Sequence, residues 1–103
     1  MHTESQEPVR ALRARVAEER DILEGLGRKF NHQSMKERVR LALAYLDDVE
    51  AIFLGTLDKG ARTAPQEAEV IRNAHLPYGL AVGMRKYFQE LMATYGVHAM
   101  LGP

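Results

Sequence analysis

The sequence predicts an all-α protein, a small bundle of three to four helices in which the first two form an antiparallel hairpin. Apolar residues recur at helical spacings of three, four and seven along most of the 103-residue chain. Two of these apolar stripes are preceded by a capping-box signature, a Ser or Thr followed three residues later by Glu or Gln. No run of β-branched residues alternates with polar ones between turn signals, as a half-buried strand requires.

Length and composition narrow the class of protein further. A chain of 103 residues predicts one domain, residues 1–103, with a disordered N-terminus over residues 1–6 and an apolar C-terminal tail over residues 97–103. Lys and Arg total 14 and Asp and Glu total 14, so the formal net charge is zero, which argues against a basic nucleic-acid-binding domain. The lack of cysteine excludes disulfides, thiolate metal sites and cysteine nucleophiles.

The N-terminal segment is polar and acidic and lacks the pattern of a signal peptide. No apolar run reaches the ~18 residues that a membrane-spanning helix needs. We therefore expect a cytoplasmic protein that does not associate with membranes.

The first helix is predicted to begin near Glu7–Pro8, because proline suits the first helical turn. It should end near Leu26, because Gly25 and Gly27 each cost ~1 kcal/mol inside a helix. The sequence leaves open whether the helix continues through both glycines. Its apolar residues follow the heptad pattern of a helix–helix seam, which only Glu19 interrupts. The seam consists of Val9, Leu12, Val16, Leu23, Leu26 and Phe30.

A capping box of Ser34 and Glu37 predicts a second helix that begins at Met35. The tripeptide Asp58-Lys59-Gly60 should end it, with the glycine in the left-handed position past the last turn. The apolar stripe is broad enough to contact two neighbours, which makes this the central helix. The stripe comprises Met35, Val39, Ala42, Leu46, Val49 and Phe53, with Leu43, Ile52 and Leu57 on its flanks.

Thr63 and Gln66 form a second capping box ahead of a short third helix. Pro77 is expected to stop or kink that helix, because its ring removes a hydrogen-bond donor and crowds the preceding turn. A last helix should then end near Gly96. Its apolar face contains Leu80, Met84, Tyr87, Phe88, Leu91, Met92 and Tyr95.

These patterns favour a non-enzymatic helical protein–protein interaction module, such as an adaptor, an inhibitor or an assembly component. A chain this short buries only about two-thirds of its unfolded surface, which leaves little room for both a long seam and an apolar tail. We therefore expect a homodimer or higher homo-oligomer that also binds another protein, without a cofactor. The predicted interface residues are Leu12, Val16, Leu23, Tyr87, Phe88, Tyr95 and Met100.

One alternative is a metal- or ligand-binding all-α enzyme subunit. Asp47 and Glu50 lie three residues apart, so two carboxylates share one helical face. A site for a metal ion would need His75 or His98 from another helix, and no catalytic residue is otherwise predicted.

A further alternative is a helix-turn-helix DNA-binding regulator. Residues 67–88 have about the right lengths for two short helices joined by a turn at residues 76–79. Arg85 and Lys86 would then lie on the second helix and face the nucleic acid. Two cations accompanied by Glu90 are few for a phosphate backbone, so we do not expect nucleic-acid binding.

Overall fold

The computed structural model describes residues 3–55 and 63–95 of the chain, and side chains from Pro8 onward within those ranges. Its elements are helix α1 (Thr3–Lys29), helix α2 (Gln33–Asp48), a π-helical segment (Val49–Leu54) and helix α3 (Ala64–Tyr95). The three helices pack against one another in every pairing, and the described ranges contain no strand. The prediction of a small all-α bundle is therefore confirmed.

Helix α1 is longer than predicted at both ends. It begins at Thr3, inside the segment 1–6 for which we expected disorder, and it continues through both glycines to Lys29. A Cβ atom at Gly27 would lie 3.1 Å from Val39 Cγ1 on α2, so this glycine allows the two helices to approach closely. Close packing between α1 and α2 thus offsets the low helix propensity of the two glycines, which is the reason that an earlier end of α1 is predicted.

Helices α1 and α2 form the predicted antiparallel hairpin. Near the middle of the pair, Arg20 binds Asp47 at an Nη2–Oδ1 distance of 2.6 Å. Further back along α1, Arg13 Nη2 donates a 3.2 Å hydrogen bond to the carbonyl of Leu54, at the end of the π-helical segment. Residues nearer the start of α1 therefore contact residues nearer the end of α2 and the π-helical segment, so the two helices are antiparallel.

The start of α2 differs from the prediction. The helix begins at Gln33 with His32 as its N-cap, and no side chain caps it. The Ser34 hydroxyl lies 2.7 Å from His32 Nδ1, and the Glu37 carboxylate accepts a 3.4 Å hydrogen bond from the Gln33 amide. The predicted Ser34–Glu37 capping box is wrong because both of its side chains have these other partners.

Helix α2 passes directly into the π-helical segment Val49–Leu54. The Gly55 N–H donates to the Glu50 carbonyl five residues earlier, which is the π-helical hydrogen bond. The wider π-helical turn brings Val49 and Leu54, which are five residues apart, to the buried face, while Phe53 is only partly buried. The predicted helix end at residues 58–60 lies outside the described residues.

The start of α3 agrees with the prediction. The Thr63 N–H donates to Gln66 Oε1 at 3.0 Å, and the Gln66 N–H donates to Thr63 Oγ1 at 3.3 Å. These two reciprocal bonds satisfy backbone donors that the first helical turn leaves free. The predicted capping box is confirmed.

The prediction that Pro77 stops the helix is wrong, because α3 runs without interruption from Ala64 to Tyr95. Proline is unfavourable inside a helix, so packing must outweigh the local preference. A heptad seam crosses the proline and buries the same face of α3 on both sides of it. This seam consists of Ile71, Ala74, Tyr78, Ala81, Arg85, Phe88 and Met92.

The core lies where the three seams meet. The Phe30 and Phe88 rings pack edge to face there, with centroids 6.0 Å apart, and join the end of α1 to α3. None of the helices in the described ranges is long and apolar enough to cross a membrane.

Candidate interaction surface

Four of the predicted interface residues are part of the chain's own core. Leu12, Val16, Leu23 and Phe88 are each at most 2% exposed, because α2 and α3 fill the seam of α1. These side chains are inaccessible to a partner while the bundle is intact. The heptad pattern correctly indicated a helix–helix contact, but the contact is within one chain.

The other predicted interface residues have different positions. Tyr87 and Tyr95 are both exposed on α3. The Tyr87 ring lies beside that of Phe88, with centroids 6.0 Å apart. Met100 lies outside the described residues.

The outer face of α3 is apolar where a helix of a small bundle is usually polar. Leu76 is 71% exposed, Leu80 is 53% exposed and Tyr87 is 47% exposed. Gly79 and Gly83 lie between them on the same face, and a Cβ atom at either glycine would meet nothing within 4 Å. We call these five residues the α3 outer face. The sequence pattern predicts Leu80 and Tyr87 on one apolar helix face. It does not add Leu76 and Gly79 to that face, because the expected break at Pro77 assigns residues 76–79 to a turn.

Two shallow grooves flank Tyr87 on this face. One has a volume of about 420 Å³ and is bordered by Arg38 of α2. The other has a volume of about 520 Å³ and is bordered by Lys86 and Glu90. Gly83 and Tyr87 line both grooves, so the tyrosine ring stands as a ridge beside backbone that no side chain covers.

Opposite charges lie at the two ends of the face. Arg72 precedes it and Glu90 follows it, at positions that point to the same side of α3. Both side chains are exposed, and neither has an ion-pair partner within the described residues.

Arg85, one of the two candidate nucleic-acid contacts, is part of the core seam. Its Nε and Nη2 atoms donate to the two carboxylate oxygens of Glu19 on α1, at 2.8 Å and 2.5 Å. The hydrogen bond to Glu19 raises the pKa of Arg85 above its ordinary value. Lys86 remains exposed, so only one of the two cations is free to meet a phosphate. The turn required between two short helices at residues 76–79 is also absent, because α3 is continuous there.

Tyr78 lies next to this ion pair on α3. Burial raises the pKa of its hydroxyl above the usual 10.0, and the negative charge of Glu19 raises it further. The His75 ring packs edge-on against the Tyr78 ring, with centroids 5.8 Å apart.

The candidate metal ligands are not brought together. Asp47 binds Arg20, and His75 packs against a tyrosine ring. Within residues 3–55 and 63–95, no three His, Asp or Glu side chains are close enough to hold a metal ion. His98 lies outside the described residues.

Comparison with known proteins adds no family assignment. The chain matches no protein-family profile, and no significantly similar curated protein or solved structure is found. No family therefore assigns a role to the α3 outer face, and its own exposed apolar residues indicate what it does.

Proposed function

We propose that this chain is a non-enzymatic protein–protein interaction module that self-associates and docks through the α3 outer face. The observation that supports this is the alignment of Leu76, Leu80 and Tyr87 on the one side of α3 that faces away from the core. Isolated exposed apolar residues are normal, but a contiguous strip of large ones is typical of binding sites.

The chemistry of the face suits a protein partner. Burial of a leucine side chain contributes about 1.5–3 kcal/mol, so two leucines and a tyrosine can supply a substantial part of a binding free energy. Tyrosine is also enriched among the residues that dominate interfaces. Gly79 and Gly83 expose backbone, which lets a second backbone approach more closely than side chains normally allow.

Two carboxylates of the described structure have structural partners. Glu19 binds Arg85 between α1 and α3, and Asp47 binds Arg20 between α1 and α2. The adaptor, inhibitor and assembly roles differ in the identity of a second partner, and all of them use an exposed docking face of this kind.

The test compares the self-association of two leucine variants by sedimentation velocity and native mass spectrometry. Leu80→Ser removes an apolar side chain from the α3 outer face. Leu41→Ser is the matched control, because Leu41 on α2 is 49% exposed and lies off that face. We expect the wild-type chain to form oligomers at micromolar concentration, Leu80→Ser to weaken them, and Leu41→Ser to leave them unchanged.

Circular dichroism establishes that both variants remain helical. A wild-type chain that stays monomeric at millimolar concentration would refute self-association. An equal loss of oligomer in both variants would show that the α3 outer face is not the contact.

A further inference from the structure

The charges at the ends of the α3 outer face are arranged so that the face complements itself. Arg72 and Glu90 lie at equal distances in sequence from position 81, and so do Gly79 and Gly83. A two-fold axis at the level of residue 81 would therefore place Arg72 opposite Glu90 of a second copy. The same axis would place Gly79 opposite Gly83 of that copy.

We propose that the α3 outer face binds a second copy of this chain with the two α3 helices antiparallel. This inference rests on the proposed function and names its partner and orientation. The glycines lie at the crossing point, where the two helix backbones meet most closely. Each end of the contact carries one Arg72–Glu90 ion pair between the copies.

The large apolar side chains fit the same arrangement. Tyr87 lies within one residue of the level of Leu76 of the second copy, a difference of about 1.5 Å along the helix axis. An aromatic ring thus packs against the most exposed leucine of the face, twice in each dimer. These two contacts lie on either side of the glycine crossing.

A parallel arrangement has the opposite electrostatics. It would place Arg72 against Arg72 and Glu90 against Glu90, so that like charges meet at both ends. The antiparallel arrangement turns both contacts into attractions. Charge therefore selects the orientation, while the apolar residues supply most of the affinity.

Charge reversal tests the orientation. In an antiparallel dimer, Arg72→Glu alone or Glu90→Arg alone replaces both ion pairs with repulsive contacts. The double variant Arg72→Glu/Glu90→Arg restores both pairs with their signs exchanged. A mixture of the two single variants also restores them, because each variant then meets its complement.

We expect each single variant to weaken the dimer about tenfold at low salt and the double variant to return to the wild-type dissociation constant. The difference should shrink in 1 M salt, where the screening length falls to about 3 Å. Arg40→Glu and Glu24→Arg reverse exposed charges on α2 and α1 and should change the dissociation constant little. Sedimentation equilibrium of the full chain gives all of these values.

Glycine variants supply a second readout that separates binding from folding. Gly83→Ala places a methyl group in open space within the monomer, so it should raise the monomer's free energy of unfolding. The same methyl group obstructs the helix crossing and should weaken the dimer at least about fivefold. A loss of folding cannot produce this pair of opposite effects.

The outcomes distinguish this inference from the proposed function. A wild-type dimer that Leu80→Ser weakens, but that the double charge variant fails to restore, would overturn the antiparallel arrangement and leave the docking face intact. A Gly83→Ala chain that dimerises as well as the wild type would overturn the glycine crossing. A monomeric wild-type chain would refute both proposals.

Discussion

Arg85 on α3 binds both carboxylate oxygens of Glu19 on α1, and each residue takes a heptad position that its neighbours fill with apolar side chains. The Glu19 side chain is 9% exposed and the Arg85 side chain is 18% exposed. Glu19 interrupts the apolar seam of α1 and Arg85 interrupts the apolar seam of α3, and each is the binding partner of the other. The pair also fixes how far α3 lies along α1, because a slip by one heptad would leave both charges against apolar groups.

The ion pair should show strong energetic coupling. Arg85→Met leaves a buried carboxylate without its partner and should lower the free energy of unfolding by about 3 kcal/mol. Glu19→Leu leaves a cation that is more exposed and should cost less. The double variant should be close to the wild type, because no charge is then left unpaired. Chemical denaturation of all four chains gives the coupling free energy.

An exposed ion pair provides the control for this cycle. Arg20 and Asp47 are more accessible, so the cycle of Arg20→Met and Asp47→Leu should yield a coupling below about 1 kcal/mol. Equal coupling in the two cycles would contradict the role we assign to burial.

The two glycines of α1 should respond differently to alanine. Gly25→Ala adds a methyl group whose nearest neighbour is the Arg28 guanidinium at 3.9 Å, so helix propensity should raise stability by about 0.5–1 kcal/mol. Gly27→Ala adds a methyl group that lies 3.1 Å from Val39 Cγ1, and Val39 is buried and has little freedom to move. We expect this variant to be less stable than the wild type. Thermal unfolding followed by circular dichroism compares them directly, and a rise in both melting temperatures would refute a close helix contact at Gly27.

The raised pKa of Tyr78 predicts a loss of stability at alkaline pH. The folded state keeps the phenol proton at pH values where the unfolded chain, with a pKa near 10, releases it. This contribution is complete below pH 10 and is lost as the pH rises through the folded-state pKa. Urea denaturation between pH 8 and 11 should show a steeper decline for the wild type than for Tyr78→Phe. Tyr95→Phe, at an exposed position, should decline as the wild type does.

Pro77 should be a site where alanine stabilises the fold. The proline nitrogen cannot donate to the Asn73 carbonyl, and the ring crowds the turn before it, so Pro77→Ala should raise the free energy of unfolding by about 1–3 kcal/mol. Pro65 occupies the first turn of α3, where no such donor is needed, and Pro65→Ala should be nearly neutral. Equal changes in the free energy of unfolding for Pro77→Ala and Pro65→Ala would show that the interior position of Pro77 is not what makes it unfavourable.

Helical periodicity and capping patterns predict the parts of the fold that depend only on residues close together in the sequence. The α1 seam and the Thr63–Gln66 cap follow from periodicity and from side chains that reach three residues along the chain. The continuity of α3 through Pro77 could not be predicted in this way, because the heptad contacts that favour it come from other helices. The burial of Leu54 does not follow from the α-helical spacing of apolar residues, because the π-helical turn shifts that spacing by one residue.

The candidate surface was predicted only in part. The sequence predicts Tyr87 as an interface residue because tyrosines favour interfaces, and Tyr87 is exposed. Leu80 is predicted on the same apolar face as Tyr87, but Leu76 falls in the expected turn, because its alignment with these two residues is visible only on one continuous helix. The sequence indicates a surface cation at Arg85, because it does not show that Glu19 lies opposite.

Helix α3 combines a proline and two glycines within residues 77–83, and its buried side chains nearest to them are the small Ala74 and Ala81. This stretch therefore has low helix propensity, and Tyr78 is the large side chain within it that packs against the core. Its backbone amides should exchange with solvent deuterium faster than those around Phe88. The segment that presents the exposed apolar strip should thus also open more readily than the part of α3 around Phe88.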